Sequence, residues 1–465
     1  MSRITVYQWL LVLGTSAILY FISPISHSIE GFFKGKSENR TEPGFWMLTS
    51  SLVISWIFAK SVTNAANLGQ AFGFIGGLAY AIYYGSFLVA GWIIYRMRMK
   101  GNFGSIHEFL YSRYGKAAVI IFSLVIGFRL FNEVWSNTAV IGAYFGPRGS
   151  IGNISAIVIF TGLTLAYSLK GGFRSSLVTD MIQMGAFAVL LFIVLKVLMP
   201  STNDISNYVH TGKWTMATGL NLCFVAFIQI FSYPFHDPVL TDRGFISEEK
   251  KTLWSFAASA LIGFVCILLF SFVGIYARLH NISGNNAAVD VSHSLGAGLM
   301  LIINVIMITS AASTLDSTFS SVAKLSVVDI SPNKLPRLDK GRWAMIIIAV
   351  LGSLPLLLSP AILSATTISG TMVIGLAPIF LFWSLDAPKI SFYLSMIIGF
   401  ASGILLLTNS LPAELFVSTG KYAELLAVNI YGSILCFMGF LIPYFIKKQK
   451  SSERSEKELS YEMQQ

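Results

Sequence analysis

Apolar runs long enough to cross a lipid bilayer recur along this whole sequence, and nothing else restricts its fold as strongly. A helix rises about 1.5 Å per residue, so about 18 or more mostly apolar residues cross about 30 Å of hydrocarbon. About thirteen such runs can be drawn. They lie at residues 5–24, 44–69, 73–97, 117–145, 151–170, 175–199, 216–236, 252–279, 291–329, 342–359, 361–385, 389–409 and 422–446. With 54% apolar and only 12% charged residues, a water-soluble chain of this length would lack polar surface. The gaps between runs are short, so an all-α polytopic membrane protein with no soluble module is expected. The first run has neither a basic start nor a small-residue cleavage site and is read as a retained span.

The formal net charge of +10 comes from an uneven distribution of Lys and Arg. Gaps after odd-numbered runs hold Lys34, Lys36, Arg40, Arg96, Arg98, Lys100, Arg113, Lys116, Arg243, Lys250 and Lys251, among others, and the tail adds Lys447, Lys448 and Lys450. The other side holds only Arg3, Arg148, Lys213, Arg278 and Lys421. The positive-inside bias then places the N-terminus outside and the C-terminus in the cytoplasm of a cell membrane, such as a bacterial inner membrane. Basicity of this kind marks topology, and no nucleic-acid partner is expected. Cys223, Cys266 and Cys436 stand alone in separate runs, which argues for core thiols, and the histidines show no metal-ligand spacing.

Two runs look interrupted. The second carries the polar, small-residue patch AKSVTNAANLG at 59–69, and the seventh carries QIFSYPFHDP at 229–238, where two prolines remove backbone donors. Broken segments five spans apart are the pattern of inverted-repeat transporters, whose unwound backbone offers oxygens to an ion and polar ends to a substrate. Ordinary satisfied kinks are the other reading. Residues 105–115, SIHEFLYSRYG, read as a short amphipathic helix at the membrane surface. The polar tail is expected to be disordered.

The ninth run ends in SAASTLDSTF, residues 310–319, an unusual density of oxygen in a lipid-spanning helix. Ser310, Ser313 and Thr314 share one helix face at spacings of three and four. With carbonyls from an unwound partner they could form a cage for a hard cation, which prefers oxygen ligands. Equally, Ser and Thr could bond back to the preceding turn.

Three stretches resemble the sodium:solute symporter family. YSLKGGFRSSLVTDMIQ (167–183) is similar to its motif with a Gly-Gly turn, Thr-Asp and Gln. STLDSTFSSVAKLSVVDI (313–330) resembles its ninth-span motif, and DPVLTDRGFISEEKK (237–251) its basic loop after the seventh span. The resemblance covers nearly the whole chain. It implies a leucine-transporter-type fold, a five-plus-five inverted repeat at 44–199 and 216–385. The span at 1–24 precedes the repeat; two helices at 389–447 and a tail at 448–465 follow it. It further implies a sodium site from the hydroxyls of Ser313 and Thr314, the carbonyl of Ser310, and carbonyls near Ala59 and Val62. Asp180 and Asp316 match acids on the cation's route inward. Tyr233 falls at an aromatic gate, and Thr63 and Ala66 fall where the second span reaches the substrate.

Lys60 departs from that pattern. An ammonium in mid-membrane costs about 2.5–3.5 kcal/mol by insertion scales. It could pair with a carboxylate such as Glu133, hold an anionic substrate, act as a tethered cation that makes transport sodium-independent, or snorkel to a polar cavity. Arg129 and Glu133, one turn apart in the fourth run, could form an internal ion pair or present a guanidinium to a substrate carboxylate. Asn132, Asn137 and Gln229 are further cavity candidates.

These residues lead to the expectation of a sodium-coupled secondary active symporter that imports a small organic solute, with sodium as coupling ion and no other cofactor. Arg129 and Lys60 tilt the solute toward an anion or zwitterion. A sodium-independent carrier and a non-transporting sensor are the alternatives. An enzyme is not expected, since no nucleophile–base pair, metal motif or phosphate loop is present. The sequence leaves the solute, the ion stoichiometry and the oligomeric state open.

Overall fold

A computed structural model describes residues 3–199, 205–330, 335–357 and 362–462, with side chains except at 356, 357, 362–366 and 454–462. The described residues are helical throughout, without strands. The first half contains α1 (Arg3–Ile22), α2 (Ile29–Lys34), α3 (Phe45–Trp56), α4 (Ala59–Phe72), α5 (Phe74–Ala81), α6 (Ser86–Gly101), α7 (Ile106–Tyr114), α8 (Lys116–Ala143) and α9 (Ile151–Leu198). The second half contains α10 (Ile205–Val209), α11 (Leu220–Gln229), α12 (Pro238–Arg243), α13 (Glu249–Leu279), α14 (Ala287–Ser294) and α15 (Ala297–Lys324). It ends with α16 (Leu338–Ser353), α17 (Ile362–Met372), α18 (Leu376–Leu381), α19 (Lys389–Leu407) and α20 (Ala423–Glu462).

Among the described residues, eight helical stretches are each long and apolar enough to cross a membrane, and the bent pair α3–α4 makes a ninth. Among the eight, α9 alone covers two expected runs, those at 151–170 and 175–199. The chain passes through a non-helical Gly172 between them (φ 55°, ψ −132°). A Cβ there would lie 2.5 Å from the Phe32 carbonyl oxygen of α2, so only glycine fits both the backbone angle and the close approach. The three remaining runs, 216–236, 342–359 and 361–385, are built of shorter helical pieces, and residues 358–361 lie outside those described.

Both expected interruptions exist, one of them displaced. Residues 59–69 form a continuous helix; the break precedes them, at Ile57 and Phe58, where α3 and α4 meet at 59°. Ala, Ser and Asn in that patch are compatible with helix, and the break sits where Phe58 takes an extended ψ of 145°. The freed Trp56 carbonyl accepts a hydrogen bond from the Tyr84 hydroxyl at 2.8 Å. The seventh run is broken by a 3-10 turn at Tyr233–His236 with Pro234 in its first turn. There α12 begins at Pro238, capped by the Asp237 carboxylate on the Val239 amide. The tail departs from expectation: α20 continues to Glu462. Its Glu, Lys and Arg are good helix formers, and acid–base spacings of four recur there, as at Glu453 and Lys457.

The centre of the protein is α15. Within its apolar 18-residue stretch 78% of residues are buried by protein, against 22% for the peripheral α1. Its principal neighbours are α9 and α8, with α3 and α4 alongside, and α13 packs along α3 and α4. At Gly274 of α13 the backbone of Ala66 comes so close that a Cβ would overlap it. The serine-rich face of α15 thus lies against α9, with α3, α4 and α12, which flank the breaks, beside it.

Candidate functional site

Three arrangements of side chains meet near the two helix breaks. The first is a buried ionic quartet. Arg129, Glu133 and Asn137 share one face of α8 at successive spacings of four. Lys60, in the first turn of α4, places its Nζ 2.6 Å from Glu133 Oε1. Arg129 pairs with Glu133 and, at 2.9 Å, with Asp237 Oδ2. Asn137 Nδ2 donates to Glu133 Oε2 at 2.9 Å, and its Oδ1 accepts the Lys60 amide at 3.3 Å. Two cations therefore face two carboxylates, and all four side chains are at most 1% exposed. Isolated charges at this depth would be prohibitive; pairing and hydrogen bonding make the group tolerable.

The second is an aromatic cavity of about 20 Å³, roughly one water in size, walled by Trp56, Phe58, Ser61, Tyr80, Tyr83, Tyr84 and Tyr233. The quartet braces its walls from behind. Trp56 Nε1 donates to Asp237 at 2.8 Å. The Phe58 ring lies 5.0 Å from Lys60 Nζ and 5.3 Å from Arg129 Cζ, and the Tyr233 ring 5.2 Å from Arg129 Cζ, within cation–π range. Ser61 Oγ and Tyr80 hydroxyl are 3.1 Å apart, and Tyr83 hydroxyl donates to Gln229 Oε1 at 2.7 Å. Gln229 itself is held by Asn429 of α20 at 2.9 Å.

The sequence candidates divide accordingly. Tyr233 lines the cavity, and Gln229 orients a lining tyrosine. Lys60, Arg129 and Glu133 stand one layer behind the rings. Thr63, Ala66 and Asn132 are buried but are not among the lining residues. The walls from the third run, Tyr80, Tyr83 and Tyr84, go unnoticed in the sequence, where a tyrosine cluster reads as ordinary membrane-helix aromatics.

The third arrangement joins α9, α12, α3 and α15. Asp180 Oδ2 accepts from Ser51 Oγ at 2.5 Å and from Arg243 at 3.0 Å, and Asp180 Oδ1 accepts from Ser313 Oγ. Arg243 also donates to Ser51 at 2.7 Å, to the Val239 carbonyl at 2.6 Å and to Ser317 at 2.8 Å. Asp316 Oδ2 accepts from Thr179 at 2.9 Å and from Tyr167 at 3.0 Å. Neither of these donors is cationic. One guanidinium therefore faces the Asp180 carboxylate, and the neighbouring Asp316 carboxyl has no cationic partner among the described residues. The reading of Arg243 as a loop charge is corrected here: it is 0% exposed.

Beside this cluster lie the implied sodium ligands. Thr314 Oγ1 donates to the Ser310 carbonyl at 2.9 Å, the back-bonded arrangement. Ser310 Oγ and Thr63 Oγ1 are buried without a hydrogen-bond partner among the described residues. Ala59 and Val62 occupy the first turn of α4, on a helix that packs against α15.

No protein-family model and no curated protein matches the sequence. Solved structures do. A Na+-coupled sialic acid symporter in a substrate-bound, outward-open state is 15% identical, with TM-score 0.69 over 95% of this chain and 98% of that one. Mhp1, a nucleobase-cation-symport-1 family transporter, matches in a closed conformation with bromovinylhydantoin bound, at 12% identity and TM-score 0.58 over 90% and 94% of the two chains. Its inward-facing form matches at 10% identity and TM-score 0.57 over 89% and 94%. A likeness this extensive at such low identity speaks for architecture: this multi-pass membrane protein has the leucine-transporter-type fold of those transporters.

Proposed function

We propose that the protein is a sodium-coupled secondary active symporter that imports a small organic solute by alternating access. The observation that carries this reading is the Asp316 carboxyl, buried among hydroxyls beside Asp180 and without a cationic partner among the described residues. Hard oxygen donors beside a carboxyl without a cationic partner suit a small monovalent cation. Sodium is held by the oxygens of Ser310, Ser313 and Thr314 with carbonyls near Ala59 and Val62, and leaves past Asp316 and Asp180. For Ser313 to turn toward sodium it must release Asp180, which ties ion binding to the packing of α15 on α9. The solved neighbours support the reading, one being a Na+-coupled symporter and the other a cation-symport family transporter.

The solute docks in the aromatic cavity, which widens as the helices flanking the breaks rock. Lys60 and Arg129 are both paired to carboxylates, so the cavity itself presents rings and hydroxyls. This favours a solute recognised by stacking and hydrogen bonding over one gripped by its negative charge. The Lys60–Glu133 pair likewise weighs against Lys60 as a free resident cation. Coupling follows when ion and solute favour the same conformation, a reciprocal free energy.

The test is thermal stabilisation of the purified protein across a solute panel, in sodium and in potassium at equal ionic strength. Ligands that bind the folded state raise its apparent stability. A solute whose shift needs sodium supports the reading; a shift of equal size in potassium contradicts it.

A further inference from the structure

On the Lys/Arg-rich face, away from the ion and solute sites, a cleft of about 660 Å³ opens between the end of α6, the α6–α7 connection, the end of α7 and the α18–α19 connection. Its walls carry Arg96, Lys100 and Arg113 together with Trp92, Phe103 and Trp383. Neither Arg96 nor Lys100 has a carboxylate within ion-pair distance among the described residues. Arg113 has only Asp386, 3.7 Å away, and that carboxylate is already held by Lys447 at 2.6 Å.

The cleft is built, not incidental. Arg96 lies 5.4 Å from the centre of the Trp92 ring, which keeps the guanidinium beside the indole. Phe103 and Trp383 meet edge to face at 6.4 Å. Gly101 permits that floor: a Cβ there would lie 2.6 Å from Phe103 and 3.0 Å from Trp383. Trp92 is 52% exposed on a helix long and apolar enough to span the bilayer, so its ring meets acyl chains near the interface. Cations at headgroup depth with an indole at acyl depth match an amphiphile whose polar end is anionic.

We propose that this cleft binds the phosphate-bearing headgroup of an anionic phospholipid from the Lys/Arg-rich, cytoplasmic side of the membrane. Basic pockets between spans on that side are the usual seats of such headgroups. Arg96 and Lys100 take the phosphate, Arg113 widens the positive field, and Trp92 lies along the first acyl carbons. The wall residues belong to α6, α7 and their connection on one side and to the end of α18 and the α18–α19 connection on the other, so the lipid bridges elements far apart in the chain.

The experiment is native mass spectrometry of the full-length protein titrated with phosphatidylglycerol, with phosphatidylcholine of the same chains, and with inorganic phosphate as competitor. Phosphatidylglycerol is expected to persist as a bound adduct at concentrations where phosphatidylcholine does not. Arg96→Gln and Lys100→Gln should each weaken it about fivefold, the factor equivalent to about 1 kcal/mol per basic residue near an anionic surface. The triple variant with Arg113→Gln should abolish the preference; if it folds poorly, the Arg96→Gln/Lys100→Gln pair, which breaks no ion pair, replaces it. Lys448→Gln/Lys450→Gln on the exposed end of α20 should leave binding unchanged. Equal retention of phosphatidylcholine, undiminished phosphatidylglycerol binding in the double variant, or displacement of the lipid by millimolar inorganic phosphate would each overturn the proposal.

Discussion

Two buried ionic clusters lie near the helix breaks, and they differ in arithmetic. Around Glu133 two cations meet two carboxylates; around Asp180 a single guanidinium meets one, and the adjacent Asp316 carboxyl has only hydroxyl donors. The first cluster is saturated and braces aromatic walls. The second is surrounded by Ser51, Thr179, Ser313 and Ser317, groups that stabilise charge without cancelling it. A saturated cluster fixes one packing. On the proposed reading, a carboxyl without a cationic partner leaves a place for a mobile cation.

The largest expected effect breaks the saturated side. Glu133→Ala leaves Lys60 and Arg129 buried with one carboxylate between them, and loss of one partner from a buried pair costs about 3–5 kcal/mol. Thermal unfolding in detergent should show a strongly destabilised protein. The Lys60→Met/Glu133→Gln variant, with one charge of each sign removed, should recover most of that loss. Recovery accompanied by a new or stronger sodium response would instead mark Lys60 as a resident cation.

Asp316→Asn is the counterpart on the unsaturated side. Because Asp316 has no cationic partner among the described residues, its replacement should change stability by less than about 1 kcal/mol, the scale of an ordinary hydrogen bond. Sodium-dependent stabilisation should nevertheless disappear. Severe destabilisation with sodium binding intact would erase the distinction between the clusters.

How far this was legible in the sequence follows from where each charge sits. Lys60, Arg129 and Glu133 stand out because each interrupts an apolar run, and helical spacing alone brings Arg129 to Glu133. Asp237 and Arg243 do not stand out. They follow a proline break and precede a charged loop, so hydropathy assigns them to the surface, and only packing shows them inside. The break before Ala59 was displaced for a related reason. Polar composition marks where a helix is functionally special, whereas backbone freedom at Ile57 and Phe58 marks where it bends. The hydroxyl face of α15 was legible because helical spacing fixes it locally; its carboxylate partner Asp180, on another helix, could be brought there only by the fold.

Finer effects sharpen the same contrast. Ser313→Ala removes a donor to Asp180 and an implied sodium ligand, and should raise the sodium concentration for half-maximal stabilisation about five- to tenfold, the equivalent of one hydrogen bond. An unchanged sodium midpoint removes Ser313 from the ion site. Smallest of all, Arg337→Gln breaks the exposed Arg337–Asp339 pair and should leave the unfolding temperature and the sodium response where they were.

The most direct measurement is solute accumulation by the protein in sealed lipid vesicles, using a solute found by thermal stabilisation. An inward sodium gradient is compared with an equal inward potassium gradient at the same membrane potential. The account predicts uptake above equilibrium with sodium alone, lost in Asp316→Asn. Accumulation that is equal under both gradients would contradict sodium coupling.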